Sequence, residues 1–304
     1  MVLMEGITIK SIKASELAAF INKKLIGSDI EINIFATMNK PTKNSVIFAR
    51  QYSKELVVKS KEINSLLVIA CPEYAEKLNC SYIISSNPRL DFIRIITKYF
   101  APEKQPSAIH PTAIIEAGAK IGRNVTIGAH CFIGEDVTIG DNTEIHHNVT
   151  ILGKVNIGKD CFIKSGAVIG EEGFGFEYDE SGAPEHFPHL GRIEIGDRVF
   201  IGANTTIERA ALDVTKLCDD VKVDDLVQIG HNTITGKNSS ITSGVVLCGG
   251  AIVGEGCWIA PNSSVIQRIN IGNGGYVGLG SVVLSNVGEN SVVVGVPAKL
   301  LKKK

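Results

Sequence analysis

A titratable imidazole and a bare glycine N–H stand eighteen positions apart in this chain: His231 in VQIGHNTITG and Gly249 in LCGG. A base that takes a proton from an attacking amine or hydroxyl, beside a donor that meets the developing oxyanion, is what acyl transfer needs. Histidine gains and loses its proton near neutrality. A glycine N–H approaches a reacting atom closely because no side chain intervenes. The two act together only if the fold brings positions eighteen apart into contact, and the spacing of the apolar residues says that it does.

Eleven isoleucines, from Ile109 to Ile169, recur at a strict interval of six. An α-helix repeats at 3.6 residues and a strand at 2, so neither explains a hexad. A chain that turns a corner every six residues does. Each flat face points one aliphatic residue inward, and three faces complete a coil of eighteen, a solenoid whose coils stack like floors. Slender residues such as Ala119, Val125, Cys131, Thr143, Cys161 and Ala167 follow four positions after these isoleucines, where a bend leaves little room. Glycine often follows directly, as at Gly122, Gly128, Gly140 and Gly158, and is expected there for its tolerance of corner backbone angles. Stacked coils lie about 4.8 Å apart, which sets His231 almost directly beneath Gly249.

His147 is the control. It too lies two residues past an inward isoleucine and precedes an asparagine, in EIHHN, and periodicity alone does not choose between the two. Ser165, not glycine, stands one coil above it. A lone histidine at a solenoid corner is more often structural than catalytic. His110, His130 and His146 are expected to face solvent or a neighbouring subunit. His186 and His189 lie in a long loop within reach of a ligand, but read first as ordinary loop residues. Zinc shared between corners would need three histidines, and the nearest approach, His146–His147, is a pair of neighbours that point opposite ways. No metal is expected.

Residues 1–100 lack the hexad and read as a small α/β domain. Ser15 is the expected cap of a helix through about Leu25, ended by Gly27. Strands are expected near Ile30–Phe35, Val46–Phe48, Leu66–Ala70 and Tyr82–Ile84, with helices after Gln51 and after Asn87–Pro88. Residues 101–106 form a linker, and the solenoid runs over 107–288. It is interrupted by a loop at about 170–192, where the gap from Ile169 to Ile195 is 26 rather than 24, and again between Ile207 and Leu217. A loop of that length in a compact solenoid is usually functional or part of an interface. Thr235 is the weak member of the resumed register. Residues 289–304 form a tail that would cover the last coil and leave a basic end in solvent.

Composition excludes several classes. With 31 Lys plus Arg against 32 Asp plus Glu, there is no basic nucleic-acid footprint. The seven cysteines form no CxxC pair, and an odd count without a framework suits a reducing cytosol. The start, MVLMEGITIK, is too mixed for a secretory signal, and no apolar run reaches membrane-spanning length. A cytoplasmic protein is expected.

Several segments carry a resemblance. They are NSVIFARQYSKEL and SNPRLDFIRII in the first domain, and GEEGFGF, LGRIEIGDRVFIGANTTIERAAL and KVDDLVQIGHN in the solenoid. These resemble the hexapeptide-repeat acyltransferases and, among them, the UDP-3-O-acylglucosamine N-acyltransferase family of lipid A biosynthesis. The resemblance covers most of the chain and is most specific from Gly170 to Asn232. It implies a mainly β fold, a left-handed parallel β-helix preceded by a small α/β nucleotide-binding domain. It also implies a homotrimer with active sites between neighbouring solenoids. His231 then matches the family's general base, Gly249 its oxyanion donor, and Asp224 an aspartate that would orient the imidazole. Asn232 and Arg268 join them as substrate contacts. In the first domain, Phe48 matches a family phenylalanine that holds uracil. Gln51 replaces the family's asparagine and Lys54 its tyrosine, while Tyr52 lies near enough to stack instead.

Two departures shape the functional expectation. A second family histidine aligns with Arg268, which cannot shuttle protons near neutral pH but binds phosphate or carboxylate well. The ending GVPAKLLKKK resembles the close of hexapeptide acetyltransferases that use acyl-CoA. The expected activity is therefore N-acylation of a nucleotide-linked amino sugar, with acyl-CoA favoured as co-substrate and no cofactor bound permanently. The alternative is the lipid A reaction itself, with an acyl carrier protein as donor. A nucleotide-sugar binding protein and a pure scaffold are the non-enzymatic rivals.

Overall fold

The computed structural model describes residues 11–102 and 107–303. The chain divides into two compact units, Met1–Gln105 and Pro106–Lys304. The opening MVLMEGITIK, residues 103–106 of the expected linker, and Lys304 lie outside the described residues.

The first unit is built on a five-stranded sheet in the order Leu25–Ile26, Ser81–Ile84, Leu66–Ala70, Ser45–Ala49, Ile34–Phe35. The first pairing is antiparallel and the rest are parallel. Leu66–Ala70 is buried at every position, as a central strand covered on both faces must be. Ser53 caps the helix Lys54–Glu62 by accepting from Leu56 N–H, and Asn87 caps Pro88–Tyr99 by accepting from Leu90 N–H. The first helix departs from expectation. It spans Ala14–Phe20, and Ser15 does not cap it, because Ser15 N–H and Oγ both go to the Asp29 carboxylate at 2.9 and 2.8 Å. Leu25–Ile26 is drawn into the sheet instead. The Ile30–Phe35 run also splits, with Glu31–Ile32 pairing to Ile12–Lys13 and Ile34–Phe35 joining the large sheet.

The second unit is a left-handed parallel β-helix with three faces, formed by sheets of ten, nine and eight strands. Register is eighteen residues per coil: Ile127 pairs with Ile145, Ile133 with Ile151 and Ile139 with Ile157. The loop changes this count. Ile157 pairs with Ile195, thirty-eight residues on. The segment is therefore a twenty-residue insertion at one corner, not four hexads stretched by two residues. A second insertion of four residues makes Ile195 pair with Leu217. Leu217 and Ile229 are fully buried. Thr235 is also fully buried, with its Oγ unpaired. Ile109 is 48% exposed, at the open first coil.

The corners correct one expectation. The glycines directly after the isoleucines are not in left-handed conformations, except Gly170 at φ +103. Most are required by close approach between coils: a Cβ on Gly140 would lie 2.6 Å from the Gly158 carbonyl carbon. The left-handed angle falls one or two residues later, mostly on asparagine, as at Asn124, Asn142, Asn148, Asn232 and Asn262. Asparagine tolerates that region, and its amides ladder between coils, Asn124 Nδ2 donating to Asn142 Oδ1 at 3.2 Å. At the far end, Lys299–Lys303 folds back antiparallel on Ser291–Val294. The tail thus closes a sheet edge with a lysine-rich strand, a recognised guard against edge pairing.

The isoleucine ladder carries the stability. Ile163 is fully buried between Ile145 and Ile201. Ile163→Ala should cost about 2–5 kcal/mol, since a rigid coil cannot collapse onto the vacated space. A denaturant midpoint unchanged from wild type would contradict this.

Candidate active site

One corner of the β-helix gathers the candidate residues. The strands Thr206–Ile207, Gln228–Ile229 and Val246–Leu247 stack in register. The residues that follow them, Glu208–Arg209, Gly230–His231 and Cys248–Gly249, therefore stack as well. Gly250 N–H donates to the His231 carbonyl at 2.7 Å. The imidazole lies close against Gly249, where an added Cβ would be 2.5 Å from Nε2 and 2.6 Å from Cε1.

The hydrogen bonds assign the tautomer. His231 Nδ1 is 3.0 Å from Asn232 Oδ1. That oxygen also accepts from Ala211 N–H at 3.1 Å, which fixes the amide's orientation. Asn232 is itself held in the left-handed region at φ +61, its N–H donating to Thr215 Oγ1 at 2.8 Å. Nδ1 therefore carries the hydrogen, and Nε2 presents a lone pair beside Gly249, as a general base requires. Glu208 supports the corner from below. Its carboxylate accepts from His231 N–H and from Gln228 Nε2, each at 3.1 Å.

At some corners the equivalent N–H reaches a side-chain oxygen on the adjoining coil, as Arg123 does to Asp141, Lys159 to Asp197, Ala203 to Asp225 and Glu255 to Asn273. Gly249 N–H has no acceptor among the described residues. It is free to meet an oxyanion.

The same bookkeeping separates the two histidines that periodicity left level. His147 Nδ1 accepts from Ala129 N–H at 2.9 Å. Its hydrogen is therefore on Nε2, and the ring serves as the structural acceptor of a corner N–H.

The twenty-residue insertion folds over His231. Its hairpin pairs Phe176–Tyr178 with Pro184–His186. Arg209 clamps its base, Nε donating to the His189 carbonyl at 2.7 Å, Nη1 to the Gly170 carbonyl at 3.1 Å, and Nη2 to Glu172. The His189 N–H and, after it, the Arg209 guanidinium hold the Glu172 carboxyl below its ordinary range. His186 Nε2 lies 3.2 Å from the same carboxylate. Glu172, His186 and His189 place donor atoms within 4.8 Å of one another, a spacing that a metal ion can span. Here the carboxylate is already engaged by Arg209, so the cluster serves as the clamp. His189, read from the sequence as an ordinary loop residue, is 1% exposed, and its ring meets His231 edge to face at 5.0 Å.

The other expected residues are placed less centrally. Within one protomer Asp224 accepts from Ser243 Oγ and does not touch His231. It follows a strand of a different sheet, a full face away. Asn232, expected as a substrate contact, spends its side-chain oxygen on the imidazole and on Ala211. Arg268 is exposed in a left-handed conformation at φ +59, its side chain lying over Gly250. In the first unit, Phe48 and Gln51 line a cavity of about 780 Å³ together with Phe35, Met38, Arg50, Phe92 and Ile96. Phe48 and Phe92 tilt against each other at 5.0 Å. Tyr52 is not part of that wall. Its ring meets the edge of Tyr74 at 5.9 Å, with Lys77 Nζ 4.9 Å above it. Among the described residues no helix is long and apolar enough to cross a membrane.

Comparisons with known proteins agree with this architecture. Residues 192–224 match the family described as hexapeptide repeat of succinyl-transferase, and residues 104–173 match the GMPPB C-terminal domain. The UDP-N-acetylglucosamine acyltransferase of Francisella novicida superposes with a TM-score of 0.58 at 28% identity, over 64% of this chain and 68% of that one. The UDP-N-acetylglucosamine O-acyltransferase of Moraxella catarrhalis gives 0.55 at 28% identity, over 63% and 73%. Similarity to the UDP-3-O-acylglucosamine N-acyltransferase of Bordetella pertussis is 36% over 237 residues, 70% of this chain and 65% of the relative. The Pseudomonas syringae enzyme of the same name is 34% identical over 255 residues, 77% of this chain and 71% of its own. With this degree of similarity the chain is an acyltransferase, and it belongs to the UDP-3-O-acylglucosamine N-acyltransferase family.

Proposed function

We propose that this protein moves an acyl group from a thioester on acyl carrier protein to the amine of a UDP-linked, 3-O-acylated glucosamine. The observation that carries the reading is the pairing of the His231 Nε2 lone pair with the free N–H of Gly249. The amine nitrogen attacks the thioester carbon, and His231 Nε2 takes its proton. Negative charge gathers on the carbonyl oxygen, where Gly249 N–H meets it. The carbon–sulfur bond then breaks, and the proton on His231 passes to the departing sulfur. Asn232 holds the ring in the required tautomer throughout. The cavity of the first unit, with aromatic Phe48 and Phe92 and the polar Arg50 and Gln51, has the chemistry of a nucleotide-base pocket.

The acceptor and donor both narrow relative to the sequence-based expectation. The curated relatives are named for the 3-O-acylated glucosamine, which favours that acceptor over nucleotide amino sugars at large. Part of the case for acyl-CoA is the ending GVPAKLLKKK, of which Lys299–Lys303 forms an edge strand rather than part of the His231 corner. We place the working unit as a homotrimer, in keeping with the apolar Leu212 and Leu226 exposed at 71% and 65% around this coil. Seven cysteines without a disulfide are in keeping with the cytoplasm.

A thiol-release assay tests the whole reading. Acyl carrier protein and acyl-CoA thioesters are crossed with UDP-3-O-acylglucosamine and with other UDP- and dTDP-amino sugars. Thiol should appear with the carrier-protein thioester and the 3-O-acylated acceptor. Efficient turnover of acyl-CoA would return the donor to the sequence-based expectation. Intact thioester with every amine would leave a binding protein.

A further inference from the structure

Beside the catalytic imidazole stands a second one with one ring nitrogen unpaired. His189 Nδ1 lies 2.9 Å from the Phe187 carbonyl oxygen. A carbonyl only accepts, so Nδ1 carries the hydrogen and Nε2 keeps a lone pair. That Nε2 is buried and has no partner among the described residues. A buried acceptor left unpaired is destabilising, and it becomes favourable only when a donor arrives.

The position of the orphaned atom says which donor. A Cβ on Gly173 would lie 3.0 Å from His189 Nε2, 2.8 Å from His231 Cδ2 and 2.8 Å from Glu208 Oε2. The bare backbone of Gly173 therefore covers the atom on the side of the catalytic ring, with Gly175 packed against the imidazole next to it. Any side chain at 173 would wedge the two histidines apart.

We propose that His189 Nε2 is a substrate contact, accepting a hydrogen bond from the amine of the acceptor sugar when that sugar enters beside His231 and displaces Gly173. This rests on the N-acyltransferase reading above. A neutral primary amine has two hydrogens and one lone pair. One N–H faces His231 Nε2, the other faces His189 Nε2, and the lone pair is left aimed at the thioester carbon. His189 thus orients the nucleophile, and it favours an amine over a hydroxyl, which has only one hydrogen to share.

The test uses two variants and one binding analogue. His189→Phe keeps the ring's bulk against His231 but removes the acceptor. His189→Gln returns an oxygen near the Nε2 position. His189→Phe should raise the KM for UDP-3-O-acylglucosamine about tenfold, with the thioester KM unchanged and His189→Gln recovering most of the loss. A deamino analogue of the acceptor should bind wild type and His189→Phe equally. Equal behaviour of the two variants, a loss that falls on the thioester KM, or a penalty that persists with the deamino analogue would each overturn the proposal. If His189→Phe fails to fold, nitrogen NMR of the wild type decides. The His189 Nε2 signal should move when the acceptor sugar is added without thioester, and a stationary signal overturns the contact. Loss of turnover in the wild type itself would count against the N-acyltransferase reading rather than against His189.

Discussion

His231→Ala should lower turnover by about 10²- to 10⁴-fold, the usual cost of losing a general base. The fold should survive, because the backbone bonds at this corner, from His231 N–H to Glu208 and from Gly250 N–H to the His231 carbonyl, do not involve the ring. Acceptor KM should change less than kcat, since proton removal belongs to the transition state. The paired control is His147→Ala. It removes the acceptor of Ala129 N–H, so it should cost about 1 kcal/mol of stability and leave turnover near wild type. Thermal melting and steady-state kinetics on both variants read the contrast. Near-normal turnover in His231→Ala, or equal losses in both, would remove the mechanism.

Gly249→Ala should be almost as damaging, although it deletes nothing. Gly249 is not in a left-handed conformation, so alanine imposes no backbone strain. The added methyl group would instead fall 2.5 Å from His231 Nε2 and 2.6 Å from Cε1, and the ring must move. A misplacement of about 1 Å at a reacting group costs on the order of 10²-fold. The loss should fall on kcat, and melting temperature should fall as well, because Asn232, His189 and Gly173 hem the ring in on its other sides. Combining Gly249→Ala with His231→Ala supplies the decisive comparison. Once the imidazole is gone the methyl group has nothing to displace, so the double variant should be no worse than His231→Ala alone. Strictly multiplicative losses would show that Gly249 acts independently of the ring, through the oxyanion alone.

Much of this site was legible before any coordinates. The interval of six fixes where each coil begins, and a parallel stack repeats that register without side chains having to choose it. Hence Gly249 stands over His231 as Ile145 stands over Ile127. Insertions were visible as breaks in the interval, but not their true length. The gap from Ile169 to Ile195 looks like four hexads with two residues added, whereas the pairing of Ile157 with Ile195 counts twenty added residues.

What periodicity does not carry is the direction of a side chain and the identity of its partner. His147 and His231 occupy equivalent corners, and only their hydrogen bonds show which ring nitrogen of each carries the hydrogen. Asn232 emerged as the group that sets the tautomer, while Asp224, the aligned candidate, meets Ser243 a face away. His189 was passed over because its meeting with His231 spans an insertion that obeys no repeat. Backbone stacking is a local and repetitive consequence of the chain, so the sequence alone determined the β-helix and the height of each residue along it. The proton's position and the loop's closure depend on contacts between residues with no fixed spacing, and those only the tertiary structure decided.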